Sequence, residues 1–199
     1  DWSSDVCSSD LRMIALWGIV FGLVIGFARR GSLRHLARFE LRHGYLIFLA
    51  LAIQLLIFPT PWWPEPPLSR ATSLFHLASY GLILLFLVLN RQHKPFWGVG
   101  AGMALNLTVI AANGGYMPTR LQALRRAGDE EIADKLLTSA DGTYGNVVIM
   151  DEATKLNGLG DWLSIPPWLP LASSFSVGDV ILMVSVAWLL QGLMATRNE

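Results

Sequence analysis

The sequence predicts an all-α membrane protein with five transmembrane helices, and three observations support that fold class. Of the 199 residues, 53% are hydrophobic and 15% are charged, whereas about 25% are charged in an ordinary soluble domain. The hydrophobic residues are concentrated in five runs, each close to the length that crosses a bilayer. Basic residues are concentrated in alternate connections between those runs, which is typical of helices that cross in alternating directions.

Each predicted span is a run of residues that are apolar around the whole circumference of a helix. About 20 residues cross a hydrocarbon core, and the runs contain between 15 and 19 residues, so the first two are short. A buried helix of a soluble protein explains one short run, but it does not explain five. The predicted spans are residues 13–28, 44–58, 71–89, 96–112 and 177–194.

The connections between the spans predict their orientation. Residues 29–43 contain five arginines and one acid, and the short third connection contains Arg91 and Lys94. The second connection, by contrast, contains one base, Arg70. The positive-inside rule therefore predicts an extracytoplasmic N-terminus and a cytoplasmic C-terminal tail, residues 195–199.

The fourth connection is predicted to be a 64-residue extracytoplasmic segment, residues 113–176. It has few large apolar side chains, so alone it would form only a marginal core. We therefore expect a cap that packs on the helices. Within the cap, a capping box at Thr119 and Gln122 begins a short helix that Gly128 ends, and a second helix covers about residues 130–137.

Residues 1–12 are not expected to belong to the fold. The first eleven resemble a translated sequencing adapter, so we interpret residues 1–12 as an artefact or a tail and residues 13–194 as the membrane domain. Cys7, the single cysteine, lies in this stretch. The remaining chain has no thiol for a disulfide or a cysteine metal site, and we expect neither a metal nor a cofactor.

Glycines form two stripes of small residues on the predicted spans. Gly18, Gly22 and Gly26 recur every four residues in the first span, and Gly98 and Gly102 do so in the fourth. Such stripes let two membrane helices approach closely. We expect both stripes to be packing faces that meet each other; the alternative is that glycine is simply common in membrane helices.

Polar residues inside the spans fall in the outer half of the predicted membrane. Intramembrane polar groups are costly, so they pair with each other or line a wet cavity. One interpretation is a polar pocket beneath the cap, open to the outside; the alternative is a set of separate hydrogen bonds between helices. Asp179 also fits a capping box with Ser176. The candidate ligand-binding residues are Gln54, His76, Asn106, Asn113, Asp161 and Asp179.

The leading functional hypothesis is a non-enzymatic binding or accessory protein whose pocket takes a small ligand, a lipid headgroup or a partner segment. The sequence has no phosphate-binding loop or zinc-protease motif, no nucleophile elbow and no platform for nucleic acids, so we assign no catalytic residue. One alternative is a membrane-embedded enzyme in which Asp161, Asp179 or His76 is a general acid–base group. Another is a small transporter, which would need to form a homo-oligomer to enclose a path.

Several short motifs together resemble a bacterial membrane family, domain of unknown function 5317. Ser32 departs from that family, in which a second glycine is usual at this position. The resemblance implies a polytopic protein of the bacterial inner membrane, and it implies no known activity. The matching residues are Asn113-Gly114-Gly115-Tyr116-Met117-Pro118, Ser176-Val177-Gly178-Asp179, Arg30-Gly31-Ser32-Leu33, Leu159-Gly160-Asp161, Gln54 and Asn106.

Overall fold

The computed structural model describes residues 10–36, 39–59, 66–68 and 71–195. Most of the predicted artefact and most of the predicted tail lie outside these residues. Long apolar helices dominate the described part, and a folded cap connects the last two of them. In chain order the elements are α1 (Asp10–Ala28), α2 (Leu33–Leu36), α3 (Tyr45–Ile57), α4 (Thr72–Leu89), α5 (Pro95–Ala112), β1 (Met117–Thr119), α6 (Leu121–Ala127), α7 (Glu130–Thr138), β2 (Thr143–Tyr144), β3 (Val147–Ile149), a 3₁₀ turn (Asn157–Leu159), β4 (Leu163–Ile165), β5 (Ser173–Phe175) and α8 (Val177–Met194).

Three of these helices are long and apolar enough to cross a membrane. α4, α5 and α8 each contain 18 residues, and their mean hydropathies are 2.0, 1.4 and 1.8. Only 33% of the residues in each of these helices are buried inside the protein. An apolar surface that is exposed to this extent is more stable in contact with lipid than with water. The apolar parts of α1 and α3, Leu16–Ala28 and Tyr45–Ile57, are shorter. These features indicate a membrane protein.

The five long helices pack in a row with the order α1–α8–α5–α4–α3. Gly18 of α1 lies against Met183 of α8, and Gly26 lies against Met194, so α1 and α8 run in parallel. The other neighbours in the row run antiparallel. One end of the row therefore holds the C-termini of α1, α4 and α8 with the N-termini of α3 and α5, and the opposite end holds the cap.

The cap contains strands as well as helices, so the predicted all-α class is wrong for this part of the chain. β1 pairs with β3 in parallel and β2 pairs with β3 antiparallel, which gives a sheet in the order β1-β3-β2. β4 and β5 form a separate antiparallel pair. Each strand has two or three residues, too few for the alternation by which a strand is recognised in a sequence.

The two short cap helices follow the prediction in part. α6 ends where Gly128 adopts the left-handed conformation with φ 90°, as predicted, and the second helix, Glu130–Thr138, is also confirmed. The predicted capping box is wrong because Thr119 lies in β1. Arg120 is the residue that precedes α6, and its side chain makes no capping hydrogen bond.

The cap and the helices share one hydrophobic core. Buried apolar side chains continue from α4 and α5 into β1, α6, α7 and β3 without a break. The cap therefore packs on the helices, as the shortage of large apolar residues in its sequence predicted. The members of this core include Tyr80, Phe86, Phe96, Met103 and Ile110 from the helices and Met117, Leu124, Ile132, Leu136 and Val147 from the cap.

Candidate functional site

Three buried polar side chains form one hydrogen-bonded network between α5 and α8. Asn106 donates from Nδ2 to Asp179 Oδ1 over 2.7 Å. The Ser176 hydroxyl lies 2.7 Å from Asp179 Oδ2 and 3.0 Å from Asn106 Oδ1. The exposed fractions of Asn106, Ser176 and Asp179 are 1%, 0% and 3%, so the network is sealed inside the protein.

The local sequence explains why a carboxylate is buried at this point. Ser176 precedes the first turn of α8, and its hydroxyl accepts a hydrogen bond from the Asp179 N–H. The Asp179 carboxylate in turn accepts from the Ser176 N–H over 2.9 Å. The predicted capping box is therefore confirmed. A carboxylate in this position also lies at the positive end of the helix macrodipole.

Glycines let α5 approach α8 closely enough to form that network. A Cβ atom placed on Gly102 would lie 2.6 Å from the carbonyl oxygen of Gly178, and one placed on Gly178 would overlap the Asn106 amide. One placed on Gly98 would overlap the hydroxyl of Ser185. Close packing of this kind needs residues without a side chain.

Both predicted glycine stripes are packing faces, but they do not meet each other. Gly18, Gly22 and Gly26 of α1 lie against α8, and Gly98 and Gly102 of α5 also lie against α8. The expectation that the stripes pack together is wrong because α8 lies between α1 and α5 in the row. α8 therefore packs against one glycine stripe on each of its two sides.

Gln54 belongs to a second polar contact, between α3 and α4. Its Nε2 donates to Ser79 Oγ over 3.2 Å, and the Ser79 hydroxyl donates to the carbonyl of His76 over 2.7 Å. Ser79 is fully buried and Gln54 is half-buried. This contact is separate from the α5–α8 network, since it uses different helices.

His76 joins α4 to the Gly-Gly turn that follows α5. Its ring Nδ1 lies 2.8 Å from the carbonyl oxygen of Gly115, so Nδ1 carries the proton in this contact. Phe58 and Tyr80 pack against the ring edge-on, with centroid distances of 4.8 and 5.3 Å. Gly114 and Gly115 have φ values of 68° and 98°, a left-handed conformation that glycine adopts without steric cost. His76 thus anchors the cap to the helices.

Asn113 fixes a second point of the cap to the end of α5. Its Nδ2 donates to the carbonyl of Val109 over 2.7 Å and to that of Lys155 over 2.8 Å. Its Oδ1 accepts from the backbone N–H of Lys155 over 2.7 Å. Both amide protons are therefore used, and we call this double hydrogen bond to one remote residue an asparagine clamp.

Asn90 forms the same clamp at the opposite end of the row, and the sequence analysis missed it. Asn90 Oδ1 accepts from the N–H of Arg42, and its Nδ2 donates to the carbonyls of Arg42 and Phe86, each within 2.9 Å. Asn90 is fully buried. The signal available in the sequence was its position, since Asn90 and Asn113 each directly follow the last residue of an apolar helix.

Asp161 lies in the cap rather than among the helices. Its carboxylate accepts from the Thr119 hydroxyl over 3.2 Å, and its backbone N–H donates to the carbonyl of Pro118 over 2.9 Å. Its own carbonyl accepts from the Arg120 N–H. Asp161 is 3% exposed. Its parallel bridge to Thr119 extends the pairing of β1 inside the cap.

A cleft of about 480 Å³, which we call the outer cleft, lies where the end of α5 meets the cap. Of the six candidate residues predicted from the sequence, Asn113 is the one that lines it. The structure therefore brings Asn106 and Asp179 together and places Gln54, His76 and Asp161 in other contacts. The residues lining the outer cleft are Ala112, Asn113, Asp141, Gly142, Val148, Ile149, Asp151, Ala153 and Thr154.

The charged side chains that line the outer cleft are both carboxylates. Hydrogen bonds from the hydroxyl of Thr143, at 2.7 Å, and from its backbone N–H, at 3.1 Å, lower the pKa of Asp141. Asp151 Oδ1 accepts from the backbone N–H groups of Ala153 and Thr154. Because a carboxyl with a lowered pKa is ionised at neutral pH, the outer cleft attracts positive charge. The sequence analysis assigned neither aspartate to a site, because nothing in the sequence shows that these two turns line the same cleft.

Elsewhere in the cap, some buried polar atoms have no hydrogen-bond partner among the described residues. These atoms are Asp129 Oδ2, Ser173 Oγ and Ser174 Oγ. Burial raises the pKa of Asp129, which directly precedes α7, to about 6.

Comparison with known proteins gives a family and no activity. The sequence profile of a family of unknown function, DUF5317, matches residues 38–191, from the end of the first connection to the last turn of α8. No curated protein and no solved structure matches the chain. The matched segment includes α3, α4, α5, the cap and most of α8, and with them the Asn-Gly-Gly and Ser-Val-Gly-Asp motifs. Because this match covers well over half of the residues, the chain belongs to the DUF5317 family.

Proposed function

We propose that this protein crosses the bacterial inner membrane five times and that its outer cleft binds a small organic cation without catalysing a reaction. The observation that carries the proposal is the outer cleft, whose volume is about 480 Å³ and whose charged lining consists of Asp141 and Asp151. Small-molecule sites have volumes of about 300–1,000 Å³. A ligand with one or two amino groups would match both the size and the charge.

The exposed residues of α1 and α3 support counting them as the other two spans. Val24 and Phe27 on α1 are 60% and 53% exposed, and Phe48 on α3 is 73% exposed. Both helices lie in the same row as α4, α5 and α8. The 13 residues of α3 extend about 20 Å, less than the hydrocarbon core, and a short span is accommodated by local thinning of the bilayer.

The distribution of charge supports a cap outside the cell and a cytoplasmic C-terminus. Arg29, Arg42, Arg91 and Lys94 all lie at the end of the row opposite the cap. Short connections rich in arginine and lysine stay on the cytoplasmic side. This arrangement opens the outer cleft to the extracytoplasmic space.

Binding is favoured over acid–base catalysis because the three candidate groups are held in structural contacts. His76 bonds the Gly-Gly turn, Asp179 closes the capping box of α8, and Asp161 bonds Thr119. A general acid or base has to reach a substrate proton, and each of these side chains is 3% exposed or less.

Single cysteines test the membrane arrangement. In a Cys7→Ser background, Ala140→Cys lies in the cap and Gln92→Cys lies at the opposite end, and both positions are exposed. We expect a membrane-impermeant maleimide to label the first variant in intact cells and the second only after lysis. Labelling of both, or the reverse pattern, would contradict the proposed topology.

Thermal unfolding of the full chain in detergent tests the outer cleft. We expect putrescine to raise the Tm and succinate, an anion of similar length, to leave it unchanged, because a ligand that binds only the folded state stabilises it. Asp141→Asn with Asp151→Asn keeps the oxygens that the turns use and removes both charges, so the putrescine effect should disappear. Asp134→Asn, outside the cleft lining, is the matched control. Equal responses to both ligands, or an unchanged response in the double variant, would reject the site.

A further inference from the structure

The end of the row opposite the cap carries a concentration of exposed cations. Among the described residues at this end, the acidic one is Glu40. Within the described residues, none of the cations at this end forms an ion pair. Unpaired like charges on one surface attract an anion that is not part of the chain. The exposed cations are Arg29, Arg30, Arg34, Arg42, Arg91 and Lys94.

The Asn90 clamp holds two of the basic connections against each other. It bonds both backbone polar groups of Arg42, so Arg42 is fixed beside Arg91, the next residue after Asn90. The rings of Phe39 and His93 also pack edge-on across the two connections, with centroids 4.6 Å apart. The backbones that carry Arg42 and Arg91 are therefore already ordered, so an anion that binds these side chains does not have to order the two connections.

Large apolar side chains are exposed directly beside these cations. Tyr45 and Phe48 in the first turn of α3 are 62% and 73% exposed, and Trp97 at the start of α5 is 67% exposed. The Trp97 indole N–H donates to the carbonyl of Arg91 over 3.2 Å. Trp and Tyr are typical of the membrane interface, where one part of the ring contacts acyl chains and the other the headgroups.

We propose that Arg42, Arg91, Lys94 and Trp97, which we call the basic rim, bind the headgroup of an anionic phospholipid. The guanidinium and ammonium groups would contact the phosphate, and the acyl chains would lie against the exposed apolar side of α3, α4 and α5. The inference rests on the membrane part of the proposed function and is independent of the outer cleft, which lies at the other end of the row.

Native mass spectrometry of the full chain in detergent tests the basic rim. We expect phosphatidylglycerol to bind more tightly than phosphatidylcholine with the same acyl chains. Each basic residue near a headgroup contributes about a fivefold increase in affinity. Arg42→Gln, Arg91→Gln and Lys94→Gln combined should therefore weaken phosphatidylglycerol binding on the order of a hundredfold. The clamp itself is preserved, since it uses only the backbone of Arg42.

Two controls make the result specific. Arg125→Gln, Arg126→Gln and Lys155→Gln remove the same charge from the cap and should leave lipid affinity unchanged, whereas Arg42→Lys with Arg91→Lys should retain most of it. Equal affinity for the two lipids, or equal losses in the rim and cap variants, would overturn the proposal. Displacement of the lipid by millimolar glycerol 3-phosphate would also overturn it, in favour of a site for a soluble phosphate. A cleft that fails to bind putrescine would leave these outcomes unaffected.

Discussion

The α5–α8 seam and the α3–α4 seam both contain polar side chains, yet they are built differently. At the α5–α8 seam, Gly102 and Gly178 bring the backbones together around the buried network of Asn106, Ser176 and Asp179. At the α3–α4 seam, a half-buried Gln54 makes one hydrogen bond of 3.2 Å to Ser79. The first seam has little room for adjustment, whereas Gln54 lies at a half-buried position where another partner can replace Ser79.

The difference indicates which polar residues define the fold. A polar group costs most when its partner is removed and no replacement can reach it. The α5–α8 network meets that condition because it is sealed, and the α3–α4 contact does not. Mutations at the two seams should therefore have unequal effects on stability.

The largest effect is expected from Asn106→Leu. The substitution removes the donor to Asp179 and the acceptor for Ser176 and leaves a buried carboxylate without a side-chain amide, which should lower the free energy of unfolding by about 3 kcal/mol. Gln54→Leu, the matched change at the other seam, should lower it by less than about 1 kcal/mol. Unfolding of both variants in mixed micelles gives the comparison, and equal losses would remove the distinction between the seams.

The second effect concerns how closely the backbones of α5 and α8 approach each other. In Gly102→Ala the new Cβ would lie 2.6 Å from the carbonyl oxygen of Gly178, so the helices must separate at a cost of about 2 kcal/mol. A Cβ on Gly81, a helical glycine of α4, would meet nothing within 4 Å. Gly81→Ala should be neutral or stabilise by up to about 1 kcal/mol. A Gly102→Ala protein as stable as Gly81→Ala would show that the seam is looser than described.

The two asparagine clamps should act locally and cost about 1–2 kcal/mol each, since one remote loop loses its hydrogen bonds in each case. Asn113→Ala should speed amide hydrogen exchange in residues 151–157, which line and adjoin the outer cleft, and Asn90→Ala should do so in residues 39–43. Exchange that spreads to both ends of the row in either variant would contradict two independent clamps.

The last effect is a pH dependence of cap stability, and solvent screening at the half-buried Asp129 reduces its size. The pKa of Asp129 is raised from its ordinary value of 3.8 to about 6, so the folded state favours the neutral carboxyl. Its contribution to stability is complete below about pH 4 and is lost as the pH rises through 6. Asp129→Asn should flatten the dependence of Tm on pH between 4 and 7, and Asp134→Asn, an exposed carboxylate on α7, should retain it. An identical slope in wild type and Asp129→Asn would assign the dependence to another group.

The bounds of the long helices could be predicted from the sequence because each of these helices coincides with a continuous run of apolar residues. α3, α4, α5 and α8 begin and end within one residue of the predicted runs. Local signals also sufficed for the Ser176–Asp179 capping box and for the end of α6 at Gly128, because those features depend on residues close together in the chain.

The row order and the outer cleft could not be predicted, because they depend on contacts between distant residues. Polar residues at similar depths suggested one shared pocket, yet Asn106 and Gln54 lie on helices that α4 separates. The cleft is lined by Asp141 and Asp151, which come together only when β3 pairs and when Asn113 binds Lys155. The strands were missed because their pairing partners, rather than their own residues, define them.

The position of α1 has a consequence for how the protein is made. α1 packs mainly on α8 and β5, so α1 is synthesised well before the segments on which it packs. Until α8 has been made, the face of α1 that carries Gly18, Gly22 and Gly26 cannot form the contacts that it makes in the folded protein. A chain truncated before α8 would leave that face of α1 exposed, and proteases that remove unassembled proteins would be expected to degrade it.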